Sequence, residues 1–181
     1  MTVRSAGILL YRWNKPGQLE MWIAHMGGPF WARKDARAWS IPKGEYFEDE
    51  NPLLAAHREF AEEMGTPAPS AEYMELGTFR QPSGKIITAF AAESEFQPER
   101  IVSNMFSLEW PKGSGIVRDY PEIDDAAWFS EPEARTKLVS GQLPILDALI
   151  QHLRETGADQ RASGVSPFPT ASTQSTASAE S

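Results

Sequence analysis

The stretch from Asn51 to Gly65 constrains this chain most. Leu53, Ala56, Phe60 and Met64 recur at helical spacing and define one apolar face. Pro52 falls in the first turn, where a missing N–H costs nothing. Gly65 suits a left-handed C-terminal cap, and Pro67 stops continuation. The spacing predicts a helix over Asn51 to Met64 that needs a core on one side. Its other side is acidic: Glu59, Glu62 and Glu63 stand at i, i+3 and i+4, on one face. Three like charges within a turn repel, and a bound cation would relieve them. Carboxylates are hard oxygen ligands suited to magnesium or manganese. The competing reading is a solvated surface softened by an Arg58–Glu62 pair at i+4. The triplet alone does not choose between the two.

Around this helix the chain reads as strands first and helices last. Arg4 to Trp13 is a buried strand, and Leu19 to Met26 a second, joined by the turn Asn14-Lys15-Pro16-Gly17. Gly27 to Ser40 has no period and reads as a loop. Tyr73 to Gln81 and Lys85 to Ala92 flank a hairpin turn at Pro82-Ser83-Gly84. Strands are expected at Met105 to Trp110 and Ala126 to Phe129, and helices at Glu131 to Val139 and Pro144 to Glu155. This order argues for an α/β (α+β) fold, a mixed sheet sandwiched between helices. Residues 1–155 form the expected single domain. Residues 156–181, rich in Ser, Thr and Ala, are expected to be a disordered tail, because they cannot bury enough apolar surface to offset ordering entropy.

Composition excludes several function classes. Seventeen basic against 25 acidic residues leave a net charge of −8, so no nucleic-acid or membrane-surface partner is expected. The absence of cysteine removes thiolate metal sites, disulfides and cysteine nucleophiles. No apolar run approaches a membrane span, and the N-terminal one is too short for a signal peptide. A cytoplasmic location is the default expectation.

The stretch Gly44 to Thr66, GEYFEDENPLLAAHREFAEEMGT, resembles the Nudix box. Gly44, Glu50, Arg58, Glu59, Glu62, Glu63 and Gly65 fall at the required spacing, an agreement on the order of 10⁻⁸ by chance at one starting point. Phe60 and Thr66 depart from the usual aliphatic residues, at packing positions only. The resemblance covers roughly residues 4–154. It implies a mixed sheet between helices and a Nudix hydrolase, a pyrophosphohydrolase cleaving a diphosphate linkage in a nucleotide-type substrate. It implies that Glu59, Glu62 and Glu63, with the Gly44 carbonyl, hold Mg²⁺, with Mn²⁺ as an alternative. Glu50 and Arg58 would brace the site. Glu63 is the first choice of general base. A carboxylate outside the box often serves as base or extra ligand; the candidates are Glu93, Glu95, Glu109 and Glu122, with Glu109 preferred. Homodimers are common in the family and carry over as an expectation.

Trp39-Ser40-Ile41-Pro42-Lys43-Gly44 is similar to the Trp-x-x-Pro-Lys-Gly lead-in of members acting on dinucleoside or diphosphoinositol polyphosphates. Lys43 would place a cation where an extra phosphate lies. Lys34, Arg37 and Trp39, in a loop that also carries Phe30, Trp31 and Arg33, suit phosphate plus a stacked base, or equally a surface loop plugged into the core. Arg80 and Lys85 flank the hairpin as further polar contacts or as a sheet-edge cap. Pro82 is similar to a proline of ADP-ribose-cleaving members, and a tyrosine of some dinucleoside polyphosphate members is missing. The preferred substrate is a dinucleoside polyphosphate or a related polyphosphorylated compound. The alternatives are a nucleoside triphosphate, ADP-ribose, a nucleotide sugar, or a non-catalytic nucleotide sensor.

Overall fold

The computed structural model describes residues 2–158. The organising strand is β1 (Arg4–Lys15), whose sequence AGILLY is apolar on successive residues rather than alternate ones. A strand buried on both faces needs that pattern. Ala6, Ile8 and Leu10 join one cluster with Ala55, Ala56, Phe60 and Met64 of the helix α1 (Pro52–Met64). Leu9 and Tyr11 join the other, with Ile145, Leu146, Leu149 and Leu153 of the C-terminal helix α3 (Leu143–Glu155). Each such aliphatic side chain contributes about 1.5–3 kcal/mol on burial. The two helices therefore cover opposite faces of one sheet.

That sheet has seven strands. Antiparallel to β1 lie β2 (Gln18–Met26) and, further along the same strand, β4 (Lys43–Glu45). Parallel to it lies β6 (Ile86–Glu93), reached by way of α1. The outer strands are β5 (Met74–Arg80) against β6, and β3 (Trp39–Ser40) and β9 (Ile123–Ser130) against β2. A separate hairpin pairs β7 (Met105–Glu109) with β8 (Val117–Pro121). The helix α2 (Glu131–Lys137) follows β9 and precedes a 3-10 turn at Ser140–Gln142.

The sandwich expected from sequence is present. Three short strands were hidden: β3 and β4 are too brief to show a period, and β8 reads VRDYP, a mostly polar run. The tail expectation falls, from residue 159 on, outside the described residues, while Ala158 packs against the α3-side core. Among the described residues no helix is long and apolar enough to cross a membrane.

Candidate active site

The site is built where α1 meets β4. Asn51 starts the helix, its side-chain oxygen accepting the Leu53 and Leu54 N–H groups at 3.0 and 3.1 Å. Gly65 ends it at φ 73°, its N–H donating to the Ala61 carbonyl. A Cβ on Gly65 would also meet the Val102 carbonyl at 2.5 Å, so glycine is required twice over. Between these ends the buried side of the helix is not only apolar. Glu59 is 9% exposed and Glu63 8%, both turned toward β4. The acidic face and the core face thus share an edge rather than standing opposite each other.

Gly44 makes this possible. A Cβ built on it would lie 1.8 Å from Oε2 of Glu59, so the Glu59 carboxylate occupies the space a side chain would take. Next to it, the Lys43 backbone N–H donates to Oε2 of Glu63 at 3.0 Å. Arg58 draws the surrounding chain in. Its Nε and Nη2 donate to Glu50 at 3.1–3.2 Å, Nη2 to the Glu45 carbonyl at 3.3 Å, and Nη1 to Glu59. Nη1 also lies 3.6 Å from Glu62. Glu50 and Arg58 therefore tie the Glu45–Glu50 segment to the helix.

Burial and crowding raise the proton affinity of these carboxyls. Glu63 is pushed up to about 8, by burial first, with Glu122 and Glu59 adding to the rise; Lys43, through its charge and its N–H, opposes it. Glu59 is raised by burial and by Glu62 and Glu122, against Arg58. Glu122, between β8 and β9, is raised by burial and by Glu62, against Lys43. Asn104 links the two regions: its N–H donates to the Glu62 carbonyl at 3.0 Å, and its own carbonyl accepts the Glu122 N–H at 2.8 Å.

Among the carboxylates outside the box, the sequence preference was Glu109. That residue closes the β7–β8 hairpin, accepting the Gly115 N–H at 3.1 Å, and is exposed. Glu122 is the outside carboxylate that feels the box glutamates. Residue numbers alone could not say so, because the hairpin carries Glu109 away while the β8–β9 junction folds back.

The basic and aromatic residues are also sorted. Lys43 and Lys85 line a cavity of about 570 Å³ with Gly44, Glu45, Trp31 and Gln142, and Lys85 also pairs with Glu45 at 3.3 Å. Trp39 is buried instead, edge-on to Phe129 and His25, with its indole N–H donating to Asp35 at 2.9 Å. Arg37 donates to the Arg135 and Leu138 carbonyls at the end of α2. Lys34 rests 3.4 Å from the Phe30 ring centre. Trp39, Arg37, Lys34 and Arg80 do not line that cavity. Core packing occupies Trp39, and a helix end occupies Arg37.

One residue escaped the sequence. Gln142 is 1% exposed, and its amide accepts the Ile41 N–H at 2.9 Å and donates to Ser40 Oγ at 2.8 Å. Ser40 Oγ in turn donates to the Ile41 carbonyl at 2.8 Å. Gln142 thereby holds the segment that delivers Lys43 and Gly44 to the helix. A glutamine in a short turn carries no pattern that would announce this.

A family model described as NUDIX domain matches residues 1–149. The chain belongs to the NUDIX family. Several solved structures share the fold. The NUDIX domain of Shewanella oneidensis NrtR complexed with ADP ribose superposes with a TM-score of 0.59 at 16% identity, over 84% of this chain and 89% of that one. A binary complex of the C. elegans Ap4A hydrolase gives 0.55 at 18%, over 85% and 99%. The E. coli ORF135 protein gives 0.51 at 18%, over 86% and 92%. This Nudix domain has the fold of a pyrophosphohydrolase, and Nudix enzymes generally use divalent metals. Its residues fit such an ion: a hard-oxygen set on α1, a side-chain-free Gly44 beside it, and buried carboxyls short of counter-charge. Among the described residues no three acidic or histidine side chains already converge as a ready cage. Glu59 leans on Arg58, and Glu63 on the Lys43 N–H.

Proposed function

We propose that this chain hydrolyses a diphosphate linkage in a nucleotide-type substrate with magnesium, and that dinucleoside polyphosphates are the preferred class. The observation that carries the reading is the seating of the Glu59 carboxylate in the space left by Gly44, with Glu63 fixed beside it by the Lys43 N–H. Glu59, Glu62 and Glu63 would hold the ion, which neutralises diphosphate charge and lowers the pKa of a bound water. The water oxygen attacks phosphorus, the bridging P–O bond breaks, and the leaving phosphate departs as an anion. Glu63 receives the water's proton at Oε1, the oxygen that Lys43 does not engage.

Lys43 and Lys85, on the wall of one cavity, supply two cations for phosphates beyond the one attacked. That favours substrates with a longer phosphate chain. The Ap4A hydrolase among the structural relatives is in keeping with this choice. A second reading, ADP-ribose cleavage, is favoured by Pro82 on the same cavity wall and by the ADP-ribose complex among the relatives.

The test is a magnesium-dependent product assay over diadenosine polyphosphates, nucleoside triphosphates, ADP-ribose, nucleotide sugars and diphosphoinositol polyphosphates, with product masses locating the broken bond. Fastest turnover is expected on diadenosine polyphosphates. Fastest turnover on ADP-ribose selects the second reading. No turnover on any, with magnesium or manganese, rejects the hydrolase and leaves a nucleotide sensor.

A further inference from the structure

Glu45 sits on the wall of two cavities. One is the 570 Å³ cavity of Lys43 and Lys85. The other, about 630 Å³, lies between the start of β1 (Thr2 to Arg4) and residues Glu45 to Asp49. Both fall within the roughly 300–1,000 Å³ typical of small-molecule sites. They share Glu45 of β4, the residue after the glycine that seats Glu59.

The second cavity has a distinctive wall. Tyr46 is anchored: its N–H donates to the Arg4 carbonyl at 3.1 Å, its hydroxyl bonds Thr88 at 3.4 Å, and its ring packs against the α1-side core. Phe47, the next residue, is turned away and is 80% exposed. It is not on a loose segment. Its carbonyl accepts the Glu50 N–H at 3.0 Å, and Glu50 is held by Arg58. A phenyl ring held out over a cavity by anchored neighbours is a surface on which a planar base can stack.

The charges name the rest of the ligand. Glu48 and Asp49 line this cavity as carboxylates, acceptors that repel bare phosphate and take hydrogen bonds from ribose hydroxyls or an exocyclic amine. Arg4 is the cation on the same wall, suited to the phosphate nearest such a nucleoside. The lysines lie in the first cavity and the donor-seeking carboxylates in the second.

We propose that the cavity between Arg4 and Phe47 is a nucleoside subsite, which holds one end of a two-ended nucleotide on the Phe47 ring while the other end lies in the cavity of Lys43 and Lys85. This rests on the proposed function for its substrate class, and it makes Phe47 the residue that distinguishes two-ended from one-ended nucleotides.

The experiment measures binding, so that it does not depend on turnover. Diadenosine tetraphosphate and ATP, each with magnesium, are titrated by calorimetry into the full chain carrying Glu63→Gln, and into the same chain with Phe47→Ala or Phe47→Trp added. Base stacking on an aromatic ring predicts that Phe47→Ala weakens diadenosine tetraphosphate about tenfold more than ATP. Phe47→Trp is expected to restore the ratio, and all variants should melt alike because Phe47 is exposed. An unchanged ratio between the two ligands in Phe47→Ala overturns the subsite, as does failure of the parent protein to bind diadenosine tetraphosphate more tightly than ATP. Loss of the hydrolase reading has a different signature, absence of magnesium-dependent products from the wild-type chain, and leaves the binding ratio free to stand.

Discussion

Residues 27–39 and residues 44–65 are near neighbours rich in charged and aromatic side chains, and the fold treats them in opposite ways. In the first segment several ligand-seeking groups are already engaged. Arg37 donates to the carbonyls at the end of α2, Trp39 is sunk in the core, and Asp35 pairs with Lys137 at 2.8 Å. In the second, Glu59 and Glu63 are almost fully buried, yet only Arg58 and Lys43 answer their charge. A helix surface of this kind is costly unless something else balances it. The difference teaches that charge marks a functional site only where the fold leaves it uncompensated.

The largest effect expected from this comparison is at Glu63. Glu63→Gln should keep the fold and lower turnover by roughly 10²–10⁴-fold, and chelation of divalent metal should abolish wild-type turnover without unfolding the chain. Normal turnover in the variant sinks the assignment. The same residue sets a pH signature in metal-free protein. Its folded proton affinity, about 8, lies above the ordinary 4.5, so the folded state keeps a proton that the unfolded state releases. Stability is full below about 4.5 and is lost as pH rises through about 8. Denaturant midpoints across that window should fall in wild type and stay flatter in Glu63→Gln.

Next is Gly44→Ala, whose methyl group claims the place of the Glu59 carboxylate. The magnesium concentration for half-maximal activity should rise roughly 10–100-fold; an unchanged value would mean Glu59 holds no metal. Gln142→Leu is expected to act on stability, leaving the buried Ile41 N–H without its acceptor. The cost of about 1–3 kcal/mol corresponds to roughly 2–4 °C of melting midpoint per kcal/mol, and calorimetry would show it. The smallest effect is Arg37→Ala. About 1 kcal/mol of stability should go with its helix-end contacts, while KM stays within about twofold. A selective rise in KM would return Arg37 to the substrate and erase the contrast between the two segments.

Much was legible without coordinates, and each case has a local cause. The unbroken apolar run of β1 announced double-sided burial. Pro52, the periodic apolar residues and Gly65 delimited α1, with the expected first residue, Asn51, standing as its N-cap. The spacing of Gly44, Glu50, Arg58, Glu59, Glu62, Glu63 and Gly65 identified the family later matched over residues 1–149. These features depend on i, i+3 and i+4 geometry or on a single residue's conformational limits, which neighbours along the chain settle among themselves.

Other features were decided only by chain segments far apart in sequence. Glu122 couples to Glu62 and Glu63 because the β8–β9 junction folds back, while Glu109 is carried off along the hairpin. Gln142 reaches Ile41, 101 positions away, because α3 packs on the sheet face opposite α1. Trp39 was drawn into the core by Phe129 of β9, and Arg37 to the end of α2, both of which the chain builds later. Composition sets what a side chain can bond to, but burial and the nearest competing partner decide what it does bond to, and those arise only once the sheet has brought distant strands side by side.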